Sequence, residues 1–368
     1  MINNFQLNGK WWIPSNQKEQ IPGNLFFNQF DGPILDLQGS FDSDVSNMKD
    51  DNDTPFYFVV LGKSSEGRKI TLLNCGLSEQ TLYNGDTTTT KYKIDTVFIG
   101  NHLYKKEDII FNEVVINYSF LEEWINFNSI YLKEDSEGQF IVSYKVYRLV
   151  ADKINNDFLI KISKFKPDYQ LTLNEINIKQ NAALSIISLK KEFIEFKKLI
   201  DDLQNFLSFG ISIPVYPIKI TAYKNGLNNP IDVYYKLNNF VEIPLIKLSP
   251  DRILFNYEDL DGKFENYLRN WFEISEILKP TFNLYFSILF SPKMDLNQQF
   301  LSVILALESL HERTYNSKYV SEHEYKMIYK NLTNAIPAEV TKDFKEKIKN
   351  TLSFINEFSL RDRLRDIL

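Results

Sequence analysis

The spacing of apolar residues changes once along this 368-residue chain, near Asp261-Gly262, and that change constrains the fold more than any other feature. Before it, short β-branched and aromatic runs alternate with Asn, Asp, Gly and Ser clusters, the period-2 pattern of strands with one face buried. After it, apolar residues recur every three or four positions for about a hundred residues, which gives each helix one buried stripe. The spacing therefore predicts an α+β chain: a β-rich region of sandwich-like sheets with an inserted helix over residues 1–262, then an all-α bundle over 263–368.

Strands are clearest in "PFYFVVLG", "KITLLNCG", "YKIDTVFIG", "IIFNEVVINYSF" and "GQFIVSYKVYRLV". In the last, Phe140, Val142, Tyr144 and Val146 point one way while Ser143, Lys145 and Tyr147 point the other, which predicts one buried face. "FLIKISKF" and "YQLTLNEINIKQ" begin a second strand set, interrupted by the helix "LKKEFIEFKKLIDDLQNFLSFG". Phe193, Phe196, Ile200, Leu203 and Leu207 form its stripe, and Gly210 suits its C-terminal cap. "YPIKITAY" and "IDVYYKL" resume the strands, so this part is either a smaller α+β unit with a boundary near 155–165 or a helix packed on the same sheet system. Farther on, "KFENYLRNWFEISEILKP" reads as a helix ended by Pro280. "DLNQQFLSVILALESLHERTY" is the strongest helix, and "SEHEYKMIYKNLTNAIP" opens on a capping box, Ser321 with Glu324.

Composition narrows the function classes. A single cysteine, Cys75, excludes an internal disulfide and any multi-thiolate zinc site, and points to a reducing compartment, the cytoplasm. Neither a signal peptide nor an apolar run of membrane-spanning length is present, so no membrane partner is expected. The net charge of −6 comes from residues 31–53, which carry seven Asp and one Lys. The rest of the chain is balanced, so a nucleic acid would have to be met by a local basic patch. Asp50, Asp51 and Asp53 are the only tempting carboxylate group for a divalent metal, and they read as a solvated loop; neither metal nor cofactor is expected.

Other motifs fail on spacing. "GKSS" at 62–65 has Tyr57 where a phosphate-binding loop needs glycine, and strand-like "KITLLN" follows it. His311-Glu312 and His323-Glu324 lack a second histidine four residues beyond the first, and the remaining histidine is His102. Cys75 has no histidine near it in sequence and reads as structural. Glu308 and His311 are different, since they share the apolar edge of one helix with Phe300, Ile304 and Leu307. They either satisfy each other in a core or line a site between helices. Adjacent Trp11 and Trp12 in "GKWWIP" must face opposite sides of a strand, one toward the core and the other toward a ligand or a domain contact.

Several stretches, in order, resemble the ApeA family of bacterial anti-phage defence proteins. "GKWWIP", "IPGNLFF" and "ILDLQGSF" resemble the opening of the ApeA N-terminal domain, and "YSFLEEWINF", with Trp124, a later segment of it. "YLRNWFEI", "LKPTFNLYFSILF" and "QQFLSVILALESLHERTY" resemble the entry to an ApeA-like HEPN domain, and "SLRDRLRDIL" its following helix. The resemblance implies a sensing region, responsive to a phage-derived trigger, attached to a metal-independent endoribonuclease that pairs as a helical dimer and arrests growth by abortive infection. It further implies a catalytic arginine and a histidine separated by four to six residues. No such pair occurs here, for Arg313 precedes the last histidine, His323, by ten positions. "SLRDRLRDIL", with Leu360, Leu364, Ile367 and Leu368 opposite three arginines, is thus expected to be an internal helix of a truncated bundle that stops before the catalytic helix and is inactive as given. Glu308 and His311 are then supporting residues, and Trp11, Trp12 and Trp124 ligand or interdomain contacts. The rival expectation is a non-catalytic module that binds a phage protein, nucleotide or glycan and uses its helices to dimerise.

Overall fold

A computed structural model describes residues 4–41, 56–83, 87–126, 130–144, 148–153, 157–172, 174–242, 248, 253–260, 262–315 and 317–367. They fall into two compact units, 1–270 and 271–368.

The first unit begins with β1 (Phe5–Trp12), β2 (Ile21–Asn28), β3 (Gly32–Leu37), β4 (Phe56–Ser64), β5 (Lys69–Tyr83) and β6 (Thr87–Ile99). Each pairs antiparallel with two others of the set in the cyclic order β1, β2, β3, β6, β5, β4, so the sheet closes into a six-stranded ring. Closure pairs each of these strands on both sides along at least part of its length, as with Gly9–Trp12 of β1 on Leu61–Ser64 of β4. Inward positions alternate as the pleat requires, and Trp11, Leu25, Leu35, Leu37, Val60, Ile70, Leu72, Cys75 and Val97 fill the interior. The β2–β3 turn is built by Asn28, whose side-chain oxygen accepts from the Phe30 and Asp31 amides, and by Gly32 at φ 82°.

Gly62 shows how tightly the ring is packed. It stands opposite Trp11 in register, and a Cβ there would lie 2.2 Å from the Trp11 ring. Only a residue without a side chain lets the fully buried indole lie across β4, where its N–H donates to the Gly23 carbonyl at 3.1 Å.

The chain continues through β7 (Ile110–Tyr118), α1 (Leu121–Ile125), β8 (Ile130–Glu134), β9 (Phe140–Tyr144), β10 (Arg148–Lys153), β11 (Leu159–Leu171), β12 (Ile176–Glu192), α2 (Phe193–Ile211), β13 (Pro217–Tyr223) and β14 (Ile231–Tyr235). Beyond β6 the same sheet runs on as an open array in the order β14, β13, β7, β12, β11, β10. Strands on both sides of residues 155–165 thus belong to one hydrogen-bonded sheet, and α2 packs on it. All five residues of the expected α2 stripe are buried, and Phe193 meets Phe98 and Phe111 edge-on. The Tyr118 hydroxyl donates to the Ile200 carbonyl at 2.8 Å, fastening α2 to β7.

Two local expectations are corrected here. Gly210 is not the cap of α2; Ser212 takes the left-handed conformation at φ 63°. Gly210 lies inside the helix, where a Cβ would sit 3.0 Å from the Phe255 ring and 3.1 Å from Trp124 Nε1, and its carbonyl accepts from the Leu254 amide at 2.8 Å. Close approach, not chain reversal, is its role. The strand expected to bury one face is instead part of a separate two-stranded ribbon, β8 with β9, and its Ile141 and Val142 are both exposed among the described residues. Val146 lies outside the described residues.

The helices are α3 (Phe264–Ile277), α4 (Lys279–Leu289), α5 (Leu296–Thr314), α6 (Glu322–Asn334), α7 (Lys342–Phe354) and α8 (Leu360–Ile367), and the division between the units falls within α3. Pro280 both ends α3 and opens α4, sitting in the first turn where its missing N–H costs nothing. In the second unit Trp271 packs on Phe282 at 4.8 Å, and Phe282, Phe286 and Phe290 form a ladder along α4. Asp295 caps α5 by accepting from the Asn297 amide, and Ser321 caps α6 by accepting from Glu324. Among the described residues no helix is long and apolar enough to cross a membrane.

Candidate functional site

His311 is the organising side chain of the helical unit. It occupies the last turns of α5, at the end of the stripe set by Ile304 and Leu307, and is fully buried. Its Nε2 donates to Asp366 Oδ2 of α8 at 3.1 Å, since a carboxylate can only accept, and its Nδ1 lies 3.1 Å from Ser317 Oγ. The ring stacks on Tyr315 with centroids 4.9 Å apart and tilts against Phe358.

The segments that follow α5 and precede α8 are laced together around this imidazole. The Phe358 amide donates to the Ser317 carbonyl at 2.9 Å and the Tyr319 amide to the Asn356 carbonyl at 3.1 Å. Buried Asn356 completes the tie with its side chain, accepting from the Val320 amide and donating to the Val320 carbonyl, both at 3.0 Å. Asp362 accepts from Ser359 Oγ at 2.6 Å and from the Tyr319 hydroxyl at 2.8 Å. These two bonds hold its carboxyl below the usual range, the Ser359 bond foremost.

On α8 the three arginines divide. Arg363 turns inward, donating from Nε to the Phe358 carbonyl at 3.1 Å and standing 3.7 Å from Glu357. Arg361 and Arg365 remain exposed and, with Leu360 and Leu364, line an open groove of about 630 Å³. The expectation of one arginine face opposite one leucine face is corrected accordingly. A cationic pair beside apolar side chains can meet phosphates while covering a base or sugar.

The predicted pair, Glu308 and His311, shares α5, but the imidazole's bonds go to Ser317 and Asp366, and Glu308 is half-buried beside it. With both ring nitrogens engaged and no exposed surface, His311 holds α8 in place and is not presented to a substrate. Nothing in sequence spacing could have named Asp366, which is 55 residues away. His323 is exposed on α6.

In the first unit, Trp11 faces the ring interior and Trp12 the opposite side, where its ring meets His102 edge-on at 5.4 Å. His102 Nε2 lies 2.8 Å from the Gly62 carbonyl, and burial draws its pKa down. Trp124 is fully buried among Phe206, Tyr257 and Phe264, with an indole N–H that has no partner among the described residues. Burial pushes the Cys75 thiol up, away from nucleophilic use. Lys63 and Ser64 of "GKSS" end β4, and β5 follows instead of a helix. Asp50, Asp51 and Asp53 lie outside the described residues.

Two family models match the chain in tandem: ApeA N-terminal domain 1 over residues 6–271 and Apea-like HEPN over residues 301–368. Searches of curated proteins and of solved structures found no match. The first model covers the ring, the open sheet and α2, and the second begins within α5 and takes in His311 and its partners. The chain belongs to the ApeA family, with an ApeA N-terminal domain followed by an ApeA-like HEPN domain.

Proposed function

We propose that this chain serves anti-phage defence in the cytoplasm, its β-rich unit sensing or regulating in response to a phage-derived trigger and its helical unit engaging RNA as an endoribonuclease module. The observation that carries this reading is the tandem order of the two family matches. Exposed Arg361 and Arg365 support it, because they supply the local basic patch that an acidic chain needs to meet phosphate. Pairing through the helical unit is part of the proposal and is supported by Leu296, Phe300 and Val303, exposed at helical spacing on α5.

Metal-independent cleavage in this family would use an arginine to stabilise phosphate charge and a histidine to move the proton of the ribose 2′-hydroxyl. That spacing is absent from the 368 residues, and the buried His311 has both nitrogens occupied. The chain by itself is therefore expected to bind RNA without cutting it. Incubation with labelled RNA, resolved on a gel, tests this: intact RNA that is retarded in a native gel is the expected result. Robust cleavage abolished by His311→Ala or His323→Ala would overturn the inactivity. Absence of any RNA binding would favour the rival reading, a binding module whose helices serve dimerisation.

A further inference from the structure

A cleft opens on the outer side of the six-stranded ring, between β1, β2 and β4. Trp12 forms one wall and Asn8, Lys10, Gln20, Lys63 and Ser65 line the rest, around about 390 Å³. That volume falls within the ~300–1,000 Å³ of small-molecule sites.

Register places Lys10 of β1 directly opposite Lys63 of β4. Like charges facing each other across a strand pair oppose the pairing they sit on. On its other side Lys10 faces Pro22, which brings no charge. Neither lysine has an ion-pair partner among the described residues; Glu66, next in sequence to Ser65, pairs with Arg68 at 2.8 Å, and Glu19, next to Gln20, accepts from Asn16 at 2.7 Å. An independent observation comes from Trp12. It is 7% exposed, and its indole N–H is buried with no acceptor among the described residues, whereas that of Trp11 is satisfied by Gly23. A buried donor left unpaired is costly, and the residue that carries this one also lines the cleft. Asn8, Gln20 and Ser65 complete the lining with neutral donors and acceptors.

We propose that this cleft binds a small organic phosphate. The phosphate bridges Lys10 and Lys63 and relieves their opposition, while the remainder lies against Trp12 and the polar wall. A mononucleotide is the form that uses every wall, its phosphate meeting the lysines and its base the indole. The site belongs to the N-terminal unit, and the proposal stands whether or not the helical unit engages RNA.

Isothermal titration of the full chain with AMP, GMP, ribose 5-phosphate, inorganic phosphate and adenosine tests it. Saturable binding of at least one mononucleotide is expected, with adenosine and inorganic phosphate each at least about tenfold weaker, one decade for a lost charge-assisted contact. The Lys10→Gln/Lys63→Gln variant changes only exposed side chains and should keep the fold, checked by circular dichroism, while losing about tenfold or more in nucleotide affinity. Trp12→Phe should weaken the nucleotide more than inorganic phosphate. No saturable heat from any phosphate-bearing probe up to ~5 mM, where Kd reaches the weak millimolar range, would overturn the proposal. Equal affinity in the double-lysine variant, or inorganic phosphate binding as tightly as every nucleotide, would do the same.

Discussion

Replacing Gly62 with alanine sets two opposing effects against each other, and the geometry decides between them. Alanine restricts the unfolded chain more than glycine does, a gain of about 0.4–1 kcal/mol where the native backbone accepts it. Against this, the new Cβ would lie 2.2 and 2.3 Å from two carbons of the Trp11 ring, far inside contact distance. Trp11 has no easy retreat, being fully buried and pinned by its hydrogen bond to Gly23. Overpacking of a well-filled core costs about 1–3 kcal/mol, and a clash this deep belongs at the upper end, so Gly62→Ala should destabilise the ring by about 2 kcal/mol net. Cys75 offers a clean reporter. It is the chain's only cysteine, it has no exposed surface, and it lies in the same core as Trp11. Its reaction with a disulfide reagent under native conditions therefore reads opening of the ring alone, and about 2 kcal/mol corresponds to labelling roughly thirtyfold faster. Trimming the obstacle with Trp11→Phe should make the double variant less destabilised than the two single costs together by at least about 1 kcal/mol. A labelling rate within about threefold of the parent, or strictly additive costs, would refute the reasoning.

The other predictions concern the helices and pH. His311→Ala should lower the melting stability of the helical unit by about 2–4 kcal/mol, because it empties a buried site and leaves Asp366 and Ser317 without their shared partner; an unchanged helical melting transition would contradict the role given to this imidazole. Arg361→Gln/Arg365→Gln should flatten the salt dependence of single-stranded RNA binding by about 1.4 in log–log slope, two contacts at ~0.7 each, and an unaltered slope would place the phosphate contacts elsewhere. Burial raises the carboxyl of Asp201, on α2, from 3.8 to about 6. Stability from its protonated form is full below the unfolded value and lost as pH climbs to about 6, so Asp201→Asn should stabilise more at pH 8 than at pH 4.5, by about 2 kcal/mol. Equal effects at both pH values in paired denaturation curves would remove Asp201 from the account.

What could be read in advance follows how local each determinant is. The α2 stripe and the Ser321 cap were legible because a helix buries residues three and four apart and its cap bonds three residues on. Opposed Trp11 and Trp12 were legible because the pleat leaves adjacent residues no other choice. Gly210 was misread since chain reversal and close packing select the same residue, and only Phe255 and Trp124 distinguish them. Exposure of Ile141 and Val142 escaped notice for a related reason, as alternation signals a buried face only when a second layer exists to bury it. Closure of the ring through β1–β4 and β5–β6 pairing depends on contacts between distant segments and leaves no periodic trace. The same is true of His311, whose partners are fixed by where α8 folds back.

Strand β6 stands at the branch of the N-terminal unit. One of its edges is shared lengthwise: residues 90–93 pair with β3 of the ring and residues 96–99 with β14 of the open array, while β5 occupies the other edge. Slipping β6 by a single residue would turn every side chain over in both assemblies at once, since the pleat repeats every two residues. The closed ring and the open array therefore share one register, and a push delivered along β6 from either assembly must be answered by the other.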